Sequence, residues 1–126
     1  MDNIGILIVD DHKALREGLK ALLQVEPDFQ ILGEAEDGEQ AMQLAQELNP
    51  DVILMDINLG EMHGVQVTRQ ILSRQPQICV IGFSMHTDPN LAQAMFKAGA
   101  RDYLIKSAPA EKLISAIRRC QDRTPG

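Results

Sequence analysis

Ile4-Gly5-Ile6-Leu7-Ile8-Val9-Asp10-Asp11 has no polar side chain until it stops on two adjacent carboxylates. A run apolar at every position is buried on both faces, as a strand in a parallel sheet covered by helices is. Leu15, Leu19, Leu22 and Leu23 follow at helical spacing. The same couplet then recurs along the chain. Phe29, Ile31, Gly33 and Ala35 alternate with other residues, as in an edge strand. Asp37-Gly38-Glu39-Gln40 reads as a capping box, with Asp37 as N-cap, ahead of Ala41, Leu44, Ala45 and Leu48. Asn49-Pro50 ends that helix, because the residue before proline leaves the helical region.

Val52 to Met55 is the next buried run, followed by a loop containing Gly60 and Gly64. A helix over 65–74 places Val65, Thr68, Ile71 and Leu72 on one face, and Pro76 closes it. Ile78 to Phe83 is a further buried run. Asp88 caps a helix whose first residue is Pro89 and whose stop is Gly99. Tyr103 to Ile105 is a short strand, and Pro109 opens a last helix with Leu113, Ile117 and Cys120 on one side. Five strand–helix pairs with short loops predict a three-layer doubly wound α/β fold, (βα)₅ and flavodoxin-like, with a parallel five-stranded sheet in the order 2-1-3-4-5. Residues 1–121 make one domain, and 122–126 a tail or the start of a linker.

Composition narrows the function. The chain has 126 residues, 44% of them hydrophobic, and a formal charge of −6. So acidic a domain is a poor direct binder of nucleic acid, which calls for a basic face, and a better holder of a hard cation. Aromatics are 3%, which disfavours recognition by base or sugar stacking. No apolar run approaches the roughly 20 residues of a membrane span, and the start lacks a charged signal region, so a cytoplasmic protein is expected. Cys79 and Cys120 are too few for a disulfide framework and read as small core hydrophobes rather than redox sensors. His12 and His63 read as exposed, and Arg118-Arg119 as a solvated face.

In an open parallel sheet, ligands sit at the carboxyl ends of the strands. The ends here carry Asp10-Asp11, Asp56, Ser84 and Lys106. Singly each is unremarkable: Asp11 could cap the first helix, and Lys106 could be a solvated charge. Together, at four of five strand ends, they suit one task. Clustered carboxylates attract a hard cation such as Mg²⁺, a lysine pairs with phosphate oxygens, and a carboxylate can form an acyl phosphate. No glycine-rich phosphate loop is present, which argues against a nucleotide donor.

On these residues the chain resembles the receiver domain of two-component response regulators. Val9-Asp10-Asp11-His12, Met55-Asp56-Ile57-Asn58, Ser84-Met85-His86 and Gly99-Ala100-Arg101-Asp102-Tyr103-Leu104-Ile105-Lys106 resemble the NarL/FixJ branch, with its LuxR-type helix-turn-helix output domains. The resemblance implies that Asp56 accepts a phosphoryl group from the phosphohistidine of a histidine kinase or histidine phosphotransfer domain. It implies that Asp10, Asp11, Asp56 and the backbone carbonyl of Asn58 hold Mg²⁺ or Mn²⁺. Lys106 would contact the phosphoryl group, Ser84 would turn inward to it, and Tyr103 would move with Ser84. Asn58 and His86 would line the path of the hydrolytic water. The readout would be the fourth helix, fifth strand and fifth helix, acting on an attached or partner transcriptional output domain, with homodimer formation on phosphorylation. Such a domain is no enzyme towards other substrates; it catalyses only its own phosphorylation and dephosphorylation.

Three departures stand out. Gly60 replaces the usual proline four residues after the phosphorylated aspartate, and His63 replaces the acid often found before the loop glycine. Both bear on loop rigidity rather than chemistry. Ser107 replaces the proline that often follows the lysine through a cis bond, so a trans bond is expected. Two rival readings are weaker. A phosphatase of similar topology needs a second acid close to Asp56, where Asn58 stands. A binding module without phosphorylation would have lost Asp56 or Lys106.

Overall fold

The apolar runs become strands and the periodic segments become helices. A computed structural model describes residues 3–59, 62–85 and 88–121. The elements are β1 (Ile4–Val9), α1 (Lys13–Leu23), β2 (Phe29–Ala35), α2 (Gly38–Leu48), β3 (Val52–Asp56), α3 (Gly64–Arg74), β4 (Cys79–Ser84), α4 (Pro89–Ala98), β5 (Asp102–Ile105) and α5 (Ala110–Gln121). All four pairings in the main sheet are parallel, and the order is β2-β1-β3-β4-β5, as the alternation predicts. β1, β3 and β4 are interior and buried at every position. The residue at the head of β2's bulge, Leu32, has no partner where Ile6 and Leu7 pair with Ile31 and Gly33.

Alternate residues of each interior strand feed two cores. Leu7, Val9, Ile53, Met55 and Val80 face α2, α3 and α4, meeting Ala41, Ala45, Val67, Ile71 and Met95. Ile6, Ile8, Leu54, Ile81 and Phe83 face α1 and α5, meeting Leu23, Leu113, Ala116 and Ile117. A fully buried aliphatic side chain contributes about 1.5–3 kcal/mol, so the strand centres carry much of the stability and the strand ends are spared for polar groups.

The caps follow the sequence with small differences. Asp37 Oδ1 accepts the Gln40 N–H at 2.8 Å, but the Gln40 side chain reaches back to the Glu36 N–H, one residue before the cap. Asn49 ends α2 at φ 47°, leaving the helical region for the left-handed one rather than the extended one. Asp88 Oδ1 accepts from Asn90 and Leu91, with Pro89 first in α4, and Gly99 closes α4 at φ 111°. The Lys106–Ser107 bond is trans, as expected.

Four expectations are corrected or refined. The segment between β3 and α3 is more than a loop: Asn58–Leu59 pairs antiparallel with Met62–His63. This two-residue ribbon lacks the length and periodicity that announce a strand. Asp11 does not cap α1. Its N-cap position is His12, and the His12 N–H bonds the Asp10 carboxylate at 2.8 Å. Arg118-Arg119 faces solvent, with side chains 43% and 62% exposed, but both guanidiniums are engaged. Arg118 bonds Glu26 at 2.6 Å and Asp28 at 2.7 Å and lies 4.7 Å over the Phe29 ring, while Arg119 bonds Asp102 at 2.7 Å. These partners lie on other elements, so no local pattern could signal them. Cys79 and Cys120 are buried, as expected, but they are joined as a disulfide across 6.0 Å between Cα atoms, linking the start of β4 to the end of α5. Gly60 and His86 lie outside the described residues; His63 is exposed.

Gly64 shows why the β3–α3 turn needs a glycine. A Cβ there would press on the Asp56 carbonyl oxygen and stand 2.8 Å from Ile57 Cα, while the Gly64 N–H bonds the Ile57 carbonyl at 2.7 Å. A Cβ at Gly18, on the exposed side of α1, would meet no neighbouring group within 4 Å. Gly64→Ala is therefore expected to destabilise the domain by about 1–3 kcal/mol through overpacking against backbone. Gly18→Ala should stabilise it by roughly 0.5–1 kcal/mol through helix propensity. Urea unfolding of the two variants beside wild type checks the opposite signs.

Candidate functional site

Every candidate at a strand end arrives on the same rim. Asp10 follows β1, Asp56 ends β3, Ser84 ends β4 and Lys106 follows β5. Adjacent register rows bring them together: Val9 pairs with Met55, Asp56 with Phe83, and Ser84 with Ile105. Asp10 and Asp56 are 2% and 1% exposed, so both are carboxylates within a buried rim rather than surface charges. Ser84 is 5% exposed.

Lys106 answers the two buried acids together. Its ammonium lies 2.9 Å from Asp10 Oδ2 and 3.1 Å from Asp56 Oδ1, and its side chain is 6% exposed. Burial alone would lower the Lys106 pKa, but the bonds to Asp10 and Asp56 outweigh it and raise the pKa above the ordinary value. Asp56 moves up as well. Burial is the main cause and repulsion by Asp10 the second, against the opposing pull of Lys106 and of the Asn58 N–H. The Asn58 N–H donates to Asp56 Oδ1 at 3.2 Å.

Asp56 Oδ1 is therefore occupied twice, whereas Asp56 Oδ2 is buried with no hydrogen-bond partner. An unpaired buried carboxylate oxygen is costly, and its lone pairs are free to take a cation or an electrophile. Asp11 is the outward member of the set: its side chain is 41% exposed and meets His12 Nδ1 at 2.9 Å. His12 Nδ1 also stands 3.1 Å from Asp10 Oδ1, a contact that the sequence did not signal. Ligand atoms of Asp10, Asp11, His12 and Asp56 all lie within 4.8 Å of one another. The oxygens suit a hard cation, and the orphaned Asp56 Oδ2 is what such an ion would satisfy.

The backbone around Asp10 is held by α1 and β2. The Asp10 N–H bonds the Ala35 carbonyl at 3.0 Å, and Arg16 Nη1 donates to the Asp10 carbonyl at 2.6 Å. Arg16 was not among the residues the strand-end argument singles out, because it sits inside a helix at a solvent-facing position of the pattern. Tyr103 packs on the sheet beside Gly82, whose Cβ would stand 3.2 Å from Tyr103 Cδ1. The Tyr103 hydroxyl is shielded from solvent with no hydrogen-bond partner. The structure thus brings Asp10, Asp11, Asp56 and Lys106 into one cluster and sets Ser84 and Tyr103 on the two strands beside it; His86 is outside the described residues.

Comparison with known proteins shows the family of this chain. The response regulator receiver domain family matches residues 6–118. The transcriptional regulatory protein DegU of Brevibacillus brevis is 43% identical over 117 residues, 93% of this chain and 50% of that protein. The nitrate/nitrite response regulator protein NarL of Escherichia coli is 35% identical, over 90% of this chain and 53% of that protein. The chain thus spans about half the length of these curated relatives. Among solved structures, a LuxR-family two-component response regulator from Aurantimonas superposes with TM-score 0.91 at 32% identity, covering 97% of this chain and 88% of that one. With the acid pair, the strand-end aspartate and the lysine in place on a 2-1-3-4-5 sheet, the chain belongs to the response regulator receiver domains of two-component signalling, among relatives of the NarL and LuxR kind.

Proposed function

We propose that Asp56 is the phosphoacceptor of this receiver domain and that Asp10, Asp11, Asp56 and the Asn58 carbonyl hold the Mg²⁺ or Mn²⁺ that the transfer requires. The observation that carries this reading is Asp56 itself: a buried carboxylate with one oxygen held by Lys106 and Asn58 and the other unpartnered. In the transfer, an Asp56 oxygen attacks the phosphorus of a histidine kinase or phosphotransfer-domain phosphohistidine. The P–O bond forms, the P–N bond breaks, and the imidazole leaves. Bound Mg²⁺ supplies charge neutralisation on the phosphoryl oxygens. Lys106 can follow those oxygens from its place between Asp10 and Asp56. The domain serves only its own phosphorylation and, through a water aligned by Asn58 and His86, its own dephosphorylation.

The switch in this reading runs from Ser84 to Tyr103 and the α4-β5-α5 face. A phosphoryl group shifts an equilibrium only through contacts that differ between two states. A hydroxyl turned towards the phosphoryl group at Ser84 supplies one, and Tyr103, whose hydroxyl has no partner where it stands, is the side chain that moves with it. Phe96 on α4 is 49% exposed, an apolar contact for an output domain or a second copy. In this reading residues 1–121 make up the receiver. No described helix is long and apolar enough to cross a membrane. The reading places the chain in the cytoplasm.

Three outcomes are expected. Incubation with acetyl phosphate and Mg²⁺ should add one phosphoryl group by intact mass, and Asp56→Asn should abolish it; undiminished labelling of the variant contradicts the assignment. Thermal unfolding tests the stability cost of the site. Because the Asp56 pKa is raised by folding, the folded state holds this proton more tightly than the unfolded chain. Its contribution therefore turns unfavourable as pH rises through the carboxylate range. In EDTA at pH 7, Asp56→Asn should melt a few degrees above wild type, the gap closing as pH falls; Mg²⁺ should stabilise wild type more than the variant. Tyr103→Phe removes a buried hydroxyl without a partner and should leave stability unchanged or raise it by up to about 1–3 kcal/mol, read by urea unfolding.

A further inference from the structure

Arg16 is spent on the peptide that joins the two acids. It stands in the second turn's approach on α1, with a side chain only 12% exposed. Its guanidinium forks: Nη1 donates to the Asp10 carbonyl at 2.6 Å, and Nε donates to Glu34 Oε1 at 3.0 Å. Glu34, on β2 opposite Ile8, is steadied in turn by Lys20 at 2.8 Å. A planar fork of fixed donors suits such a double contact in a way an ammonium does not.

The grip leaves the Asp10 backbone little freedom. Its N–H is bound to Ala35, its carbonyl to Arg16, and its carboxylate takes the His12 N–H. Asp11 follows directly across that peptide, and its exposed carboxylate meets His12 Nδ1 at 2.9 Å. We propose that Arg16 is a positioning residue for the cation site: by clamping the Asp10 carbonyl it aims Asp11 at the point that Asp56 Oδ2 faces, and so sets the affinity for Mg²⁺. This rests on the reading of the rim as a Mg²⁺ site.

Charge and geometry predict opposite signs here. A guanidinium near an acidic cluster repels a divalent cation, so its removal by charge alone would tighten Mg²⁺ binding. Loss of a group that orients a ligand weakens it. The test is a Mg²⁺ titration of the intact chain, followed by backbone amide shifts and so independent of phosphorylation. Arg16→Ala is expected to weaken the Mg²⁺ Kd on the order of tenfold. Lys20→Ala, which loosens Glu34 without touching Asp10, should stay within about twofold of wild type. Arg16→Lys keeps the charge but not the fork and should also bind more weakly than wild type; it carries the test if Arg16→Ala does not fold. Unchanged or tighter binding in the folded Arg16 variants, even with a lowered Tm, overturns the proposal, as does equal weakening in Lys20→Ala. If wild type itself shows no Mg²⁺-dependent shifts, the site reading fails, and the proposal with it.

Discussion

A lysine ammonium set between two buried carboxylates governs this molecule's functional end. Lys106 lies 2.9 Å from Asp10 and 3.1 Å from Asp56, all three nearly out of solvent. Two acids so placed repel, and one cation shared between them cannot satisfy both fully. Asp56 shows the shortfall: its carboxyl is pushed up by burial and by Asp10, and one of its oxygens has no partner. Burying two acids costs desolvation and mutual repulsion that one shared cation does not offset, so the arrangement survives only where the surrounding fold enforces it.

The fold enforces it by making the strand centres apolar and the strand ends polar. Parallel pairing in the order 2-1-3-4-5 places three interior ends side by side, and burial on both faces fixes the register, because a one-residue slip would turn each strand's side chains to the wrong core. Gly64 lets α3 start against the Asp56 peptide, and Arg16 and Ala35 hold the Asp10 peptide from the other side. The helices also brace one another away from the rim. Arg118 ties α5 to the turn between α1 and β2, and Arg119 ties it to β5. A switch that speaks through α5 works against these restraints.

Much of this was legible beforehand. Apolar runs, caps at Asp37 and Asp88, the Gly99 stop and the position of each strand-end residue are local signals: hydrophobic period and backbone chemistry act within a few residues, so they can be read along the chain. The cluster of Asp10, Asp56 and Lys106 followed from a topological rule applied to those strands.

The sequence by itself thus determined the fold class, the strand order and the identity of the residues on the rim, because each depends on pattern within one element and on general rules for joining elements. Tertiary structure alone decided the rest. That Asp10 rather than Asp11 receives the His12 N–H depends on the angle at which the chain leaves β1. That Arg16 grips the Asp10 carbonyl, that Arg118 lies on Phe29 between two acids, and that Cys79 meets Cys120 are contacts between elements far apart in the chain or turned by packing. Long flexible side chains carry no periodic signature of their partner, and only the packed geometry selects one.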